Sequence, residues 1–475
     1  MVMQPFRFMN RKSFLFYLCT GGLILSVLGP SLWSDGMFPD GLSYAVISRN
    51  LAEGIGSFWT PHFSETLMNQ FLGHLPLAIG LQSLFFEILG DGNLTERIYS
   101  FVTFLTTAGL LIVIWRWTGT KSASDSGWVP LLFWALVPLV YWSYSNNMLE
   151  NTTGIFTTLS VALAIRGMSE RQSRLWLAAA GVSVAVGFFC KGIVALFPLA
   201  VPLLYQVSFG KRPRLKWVTQ TAWMLAGTLV PIVFLLLMSE SARQNVGVHL
   251  DKMVLGNILY GSSVSSRWYI MGRLLRELTP MILVTGVMMW YFRRQKLDHL
   301  IVRTALLFFL IGASASVPIM VSMYQSGFYL VPSFPFFALA CAMLVGPYIE
   351  DRIRVIDLKS RGMRLFSVIS VCTALAAVLT AVYSIGRIGR DHDKLVAVYA
   401  VRDVVPARTR INVCPSMDQD WALHAYLARH ARVTIERDDR IPHTFLLSDG
   451  SCLSSDSVAT SIDLSASYSL YRQAP

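Results

Sequence analysis

Residues 193–238 read IVALFPLAVPLLYQVSFGKRPRLKWVTQTAWMLAGTLVPIVFLLLM, two apolar runs joined by a turn holding Lys211, Arg212, Arg214 and Lys216. A helix of about 20 apolar residues crosses the roughly 30 Å hydrocarbon core of a bilayer. The runs 192–209 and 217–238 meet that length, and a basic turn between two spans marks the cytoplasmic side. The same unit recurs outward from this hairpin. Apolar runs occupy 14–33, 94–115, 127–145, 152–168, 175–190, 270–292, 300–319, 328–348 and 365–385, which makes eleven with the first two. The chain of 475 residues is 54% hydrophobic and 14% charged, with mean hydropathy +0.51. Soluble domains carry about 25% charged residues, so the composition agrees with the runs.

Eleven spans put the termini on opposite sides. Counting residues at the span ends, twenty Lys and Arg lie in the six short segments on the N-terminal side. Eight lie on the other side, outside the tail. The positive-inside rule then places the N-terminus in the cytoplasm, and the loops 34–91 and 239–269 and the C-terminal tail outside. The net charge of +12 sits in short loops facing anionic lipid, which excludes nucleic acid as the partner. Arg7, Arg11 and Lys12 precede the first run as in a signal peptide, but no Ala-x-Ala-like site follows, so an uncleaved first span is expected. His74–Leu89 is apolar but too short to cross and contains Gln82 and Glu87. A helix lying at the interface is expected there.

The expected organisation is a transmembrane domain, 1–386, followed by a small extracytoplasmic α/β domain, 387–475. Strands are expected at Arg410–Cys414, Arg432–Ile435, Thr444–Leu447 and Tyr468–Tyr471, with a helix at Asp418–Arg429. Cys19, Cys190, Cys341 and Cys372 lie in or beside apolar runs and read as packing residues. Cys414 and Cys452 share the polar tail and could pair if it lies in an oxidising compartment. No CxxC or Cys/His metal spacing occurs.

Chemistry-bearing residues gather on the outward side: Asp35, Asp40, Tyr44, His74 and Arg97, then Glu150, Lys191, Arg267 and Tyr269. Lys191 lies in Phe188-Phe189-Cys190-Lys191-Gly192-Ile193. An ammonium there needs an anion, which a lipid phosphate would supply, or else it snorkels to the headgroups. Asp40 and Glu150 are either ordinary loop acids or a general base with its electrostatic partner. Arg267 with Tyr269 either clamps a phosphate or anchors the interface around Trp268.

These residues fall in strings that resemble the protein O-mannosyltransferase and aminoarabinose (lipid A) transferase superfamily, membrane glycosyltransferases of the GT-C type. The strings are Pro39-Asp40-Gly41-Leu42-Ser43-Tyr44, His74-Leu75-Pro76-Leu77, Glu96-Arg97-Ile98-Tyr99-Ser100, Asn147-Met148-Leu149-Glu150, Lys191-Gly192, Arg267-Trp268-Tyr269 and Phe328-Tyr329-Leu330-Val331-Pro332. They run in family order from about residue 35 to 340. Three positions depart from the pattern: Gly41 replaces a frequent Glu, Leu75 replaces a Pro, and Glu150 stands where many members have Asp.

The resemblance implies an all-α polytopic fold and transfer of a sugar from a polyprenyl-phosphate donor. The acceptor would be a glycolipid, polysaccharide or protein at the outer face of a bacterial inner membrane. It implies Asp40 and Glu150 as catalytic residues, Lys191 and Arg267 on the donor phosphate, and Tyr44, His74, Arg97, Tyr269 and Tyr329 on substrate. No cofactor is certain, and a divalent metal ion is left open. The competing reading is a transporter or flippase of a lipid-linked glycan, which would call for polar residues deep in the spans and internal repeats.

Overall fold

The computed structural model describes residues 11–118, 126–169, 173–210, 215–293, 296–438, 440–452 and 458–473. Arg7, Lys121, Arg171, Lys211, Arg212, Arg214 and Arg294 of the basic segments lie outside the described residues. Helix α1 is Arg11–Trp33, and α2, Pro39–Ala52, follows almost at once. Proline is suited to the first turn of α2, where its missing N–H costs nothing. Helix α3, Leu77–Leu89, has 13 residues and spans only about 20 Å, and Gly90 ends it at φ +76°. It packs on α2 and is too short to cross a membrane, as expected. Helix α4 is Thr95–Thr118.

The expected span at 127–145 is broken. Helices α5, Trp128–Ala135, and α6, Pro138–Ser145, meet at 83°. Pro138 cannot continue a helix, and the N–H of Leu139 left free at the break donates to Glu277 Oε2 at 2.9 Å. Helix α7, Leu149–Gly167, is rich in Thr and is buried on almost every side, so it forms the centre of the bundle rather than a lipid-facing wall. Helix α8, Arg174–Lys191, and α10, Leu215–Met238, flank the short α9, Val201–Phe209. Helices α8 and α10 approach closely at Gly181 and Gly227. A Cβ on Gly181 would lie 2.0 Å from Met224 O, and one on Gly227 would lie 2.1 Å from Ala178 O.

The segment after α10 carries α11, Glu240–Val248, a π-helical turn, His249–Gly256, and α12, Asn257–Leu259. Helices α13, Tyr269–Tyr291, α14, His299–Ser316, α15, Phe334–Val355, and α16, Arg361–Ser384, complete the bundle. Among the described residues, seven helices are long and apolar enough to cross a membrane, and the bent pair makes up to eight. The remaining expected runs fall on α7, α9 and α13. Of these, α7 is polar in its first half, α9 has nine residues, and α13 carries Arg273, Arg276 and Glu277.

After α16 the chain returns to the end of α1, where Asp35 N donates to Arg387 O at 2.7 Å and Gly389 N to Asp35 O at 2.8 Å. Helix α17, His392–Val404, and α18, Trp421–Tyr426, pack on a five-stranded sheet. Its strands are β1, Arg410–Val413; β2, Thr434–Ile435; β3, Phe445–Ser448; β4, Val458–Ser465; and β5, Tyr468–Gln473. The order is β2-β1-β3-β5-β4, parallel across β2, β1 and β3 and antiparallel beyond. All four expected strands are present, and α17 and β4 are additions. Cys414 and Cys452 form a disulfide.

Met37 and Leu42, at the start of α2, belong to the apolar core of the C-terminal unit. Polar contacts reinforce that seam. Tyr426 OH accepts from Met37 N at 3.0 Å and donates to Asp391 Oδ2 at 2.8 Å. Arg429 donates to Glu96 at 3.1 and 2.8 Å and to Asp91 at 2.6 Å, and Arg432 bridges Asp91 and Glu53. Arg49 of α2 donates to the carbonyls of Ala428 and Arg429, both at 3.1 Å. The C-terminal unit therefore holds α2 and the ends of α3 and α4.

Candidate active site

Helix α2 approaches the turn before α7 so closely that a Cβ on Gly41 would lie 1.9 Å from Asn146 O. That contact is the physical reason for glycine at the position where the resembling family often has Glu. Phe38 N donates to Asn146 Oδ1 at 2.6 Å, and Asn147, at φ +49°, donates from Nδ2 to Gly41 O at 3.1 Å. These bonds lock the first turn of α2, which carries Asp40, against the first turn of α7, which carries Glu150.

Lys191 arrives from the end of α8. Its Nζ makes an ion pair with Glu150 Oε1, and both side chains are almost wholly buried. The ammonium is thus turned inward instead of toward the headgroups. It also lies 5.5 Å from the Phe328 ring centre and 5.3 Å from that of Tyr329, within reach of a cation–π contact. Phe328 is held by stacking on Trp142 at 5.9 Å. Burial raises the Asp40 carboxyl above its ordinary range, against the pull of nearby Lys191. Burial and then Asp40 and Glu150 push the Tyr44 hydroxyl upward, so Tyr44 faces both acids. Its ring meets that of His74 edge-on at 5.9 Å. Burial, then Lys191, lowers His74 to about 3, which makes it a neutral imidazole.

Asp40, Tyr44, His74, Glu150, Lys191 and Tyr329 therefore come together. Arg97, Arg267 and Tyr269 are placed differently. Arg97 is buried beneath α2 and donates to Ser31 O, Leu32 O and Gly36 O at 3.3, 2.8 and 3.0 Å, so its guanidinium ties the end of α1. Arg267 is exposed, with its carbonyl held by Gln325 Nε2 at 3.1 Å, and Tyr269 is 44% exposed beside it. Two further residues reach the region: His249, not singled out in the sequence, and Arg273, noted there only as one of the polar residues at the start of a span. His249 lies in the segment between α10 and α13, close enough to Lys191 to be lowered further by its charge. Arg273 pairs with Glu277 at 2.8 Å and lies beside Gly327, where an added Cβ would come 3.3 Å from its Nε, next to Phe328. A histidine two residues before the charged pair Asp251-Lys252 was the available signal for the first. Among the described residues, no group of three or more His, Cys, Asp or Glu could hold a metal ion.

ArnT from Cupriavidus metallidurans bound to undecaprenyl phosphate superposes with a TM-score of 0.61 at 14% identity, over 97% of this chain and 98% of that one. The chain has a GT-C glycosyltransferase fold. Apo ArnT gives the same TM-score and identity over 95% and 96% of the two chains. The apo oligosaccharyltransferase of Archaeoglobus fulgidus gives 0.50 at 10% identity, over 88% of this chain and 64% of that one. The sequence profile of the dolichyl-phosphate-mannose-protein mannosyltransferase family matches residues 74–238, which include His74, Glu150 and Lys191. No curated protein matches the sequence. With its apolar helices and this GT-C fold, the chain is an integral, multi-pass membrane protein.

Proposed function

We propose that the chain transfers a sugar from a polyprenyl-phosphate donor to an acceptor hydroxyl or phosphate at the outer face of a bacterial inner membrane. The observation that carries this reading is the convergence of Asp40, Glu150 and Lys191 from three separate elements into one buried cluster. Asp40, half-buried at the start of α2, takes the proton of the acceptor hydroxyl. The acceptor oxygen bonds to the anomeric carbon as the bond from that carbon to the phosphate oxygen breaks, and the configuration inverts. Lys191 stabilises the charge gathering on the departing lipid phosphate, and Glu150 holds the ammonium in place. Arg267, exposed in the second outer loop, joins the phosphate only by swinging inward.

An apolar groove of about 700 Å³ supports a lipid donor. It is lined by Leu196, Phe197, Leu204, Leu310 and Val317 and begins five residues after Lys191, which suits a prenyl chain whose phosphate sits at Lys191. The Cys414–Cys452 disulfide supports an oxidising, periplasmic position for the C-terminal unit, and the basic loops support a cytoplasmic N-terminus. The test uses the full chain in nanodiscs with polyprenyl phosphates carrying radiolabelled sugars, and with membrane extract as acceptor source. Release of the bare lipid phosphate is expected, and Asp40→Asn should abolish it while leaving the protein folded. Normal turnover by that variant would remove Asp40 from the base role. Solute uptake without sugar release would favour the transporter instead. Mass spectrometry of surface glycolipids and glycoproteins from a deletion strain would then identify the acceptor.

A further inference from the structure

Glu277 is almost wholly buried in the apolar helix α13, and each of its carboxylate oxygens holds a different element. A carboxylate is costly among apolar neighbours unless its oxygens are paired. Oε1 pairs with Arg273 Nη2 at 2.8 Å, and Oε2 accepts from Leu139 N at 2.9 Å, at the break between α5 and α6. From Oε1 one arm runs to Lys191. Arg273 stands beside Gly327, which opens the 3-10 segment Gly327–Ser333. The next two residues, Phe328 and Tyr329, place their ring centres 5.5 and 5.3 Å from Lys191 Nζ. From Oε2 the other arm runs to Asp40. Trp142 lies about one turn beyond Leu139 on α6, and its carbonyl accepts from Asn146 Nδ2 at 2.7 Å. Asn146 Oδ1 accepts in turn from Phe38 N at 2.6 Å, two residues before Asp40. The Trp142 and Phe38 rings also meet edge-on at 5.2 Å. The two arms close on each other where Trp142 stacks on Phe328, with ring centres 5.9 Å apart and planes 10° from parallel.

The arms end on the two groups whose spacing decides the transfer. The anomeric carbon has to sit between the acceptor oxygen at Asp40 and the phosphate oxygen at Lys191. A misplacement of about 1 Å in such an arrangement costs about 100-fold in rate. On the reading that Asp40 is the base and Lys191 meets the donor phosphate, we propose that Glu277 is a positioning residue that fixes the spacing of Asp40 and Lys191. It touches neither substrate nor the reacting atoms. The break between α5 and α6 belongs to the device. In an unbroken helix the Leu139 N–H would bond to the carbonyl four residues back and leave Oε2 without this partner.

The experiment follows release of bare lipid phosphate from undecaprenyl phosphate carrying mannose, glucose or arabinose, using the full chain in nanodiscs and membrane extract as acceptor source. Binding of undecaprenyl phosphate itself and the unfolding midpoint are measured alongside. Glu277→Met removes both arms. Glu277→Gln keeps a carbonyl for Leu139 N and loses the ion pair. The double variant Arg273→Met, Glu277→Gln does the same without leaving a charge unpaired, and it decides the matter if Glu277→Met does not fold. Per folded molecule, kcat should fall by about 100-fold in Glu277→Met and by about tenfold in the two glutamine variants. KM for the donor and affinity for the bare lipid should stay within about threefold, because the groups that bind the ground state are all present. The partial recovery with glutamine reads the arm to Asp40 separately from the arm to Lys191. An unchanged kcat per folded molecule in the glutamine variants, or a fall in kcat matched by an equal loss of bare-lipid binding, would overturn the role. A wild type that releases lipid phosphate from none of the three donors would remove the donor reading itself, and the role of Glu277 with it.

Discussion

Arg429→Met tests the seam between the C-terminal unit and the helices that carry the site. Arg429 is 2% exposed and makes two bonds to Glu96, one to Asp91 and one, at 2.8 Å, to Gly92 O. Its removal affects the two acids unequally. Asp91 is 22% exposed and keeps Arg432 at 2.6 Å, so that half of the loss is small. Glu96 has a side chain 2% exposed and loses both charged donors at once. Stranding one member of a buried pair costs about 3–5 kcal/mol, most of it the unpaired charge. Native-state hydrogen exchange reads this directly. Protection of β1, β2 and α18 should fall by about 10²- to 10⁴-fold. The double variant Arg429→Met, Glu96→Gln removes the stranded charge and should recover most of the protection. A single variant costing less than about 1 kcal/mol, or a double variant no better than the single, would refute the view that this pair holds the seam.

Four further predictions concern the site and the tail. Gly192→Ala places a side chain at φ +75° and against His249, so it should cost about 1–3 kcal/mol in unfolding measurements and lower turnover with it. Because burial raises Asp40, the acid limb of kcat/KM against pH should lie above the ordinary aspartate range. A limb at or below that range would contradict a buried base. His74 is lowered to about 3 in the folded protein, so below its unfolded value of about 6.5 the unfolded chain binds the extra proton. Stability should be full above that pH and fall as pH drops toward 3, as measured by unfolding midpoints across the range. Cys414→Ser opens a cross-link between residues 38 positions apart and should destabilise the C-terminal unit by about 4 kcal/mol, with reductant producing a similar loss in the wild type.

Legibility differed by element. Long apolar runs and basic turns locate α1, α4, α8, α10, α14, α15 and α16 because lipid imposes length and hydropathy on any helix it touches. Helix α7 was found as a span, yet its Thr152, Thr153 and Thr157 face protein, and nothing in a hydropathy pattern separates a central helix from a peripheral one. Helix α2 was hidden inside a loop, since neither its length nor its polarity marks it. Strands β1, β2, β3 and β5 show alternation, and β4, with its Ser, Thr and Asp, does not.

Read alone, the chain of residues is enough to place it in lipid and to show that a set of polar residues between its apolar runs follows an order resembling that of GT-C enzymes. Those properties are local: charge, hydropathy and spacing act on each segment wherever it packs. Which of those residues meet is settled only in the folded chain. Lys191 finds Glu150, His249 reaches the Lys191–Gly192 turn, and Arg97 is spent on the carbonyls of α1 while Arg267 stays in solvent. Such contacts join positions tens to hundreds of residues apart and depend on the close approach of α2 to Asn146 and on the seam at Arg429, which no single segment encodes.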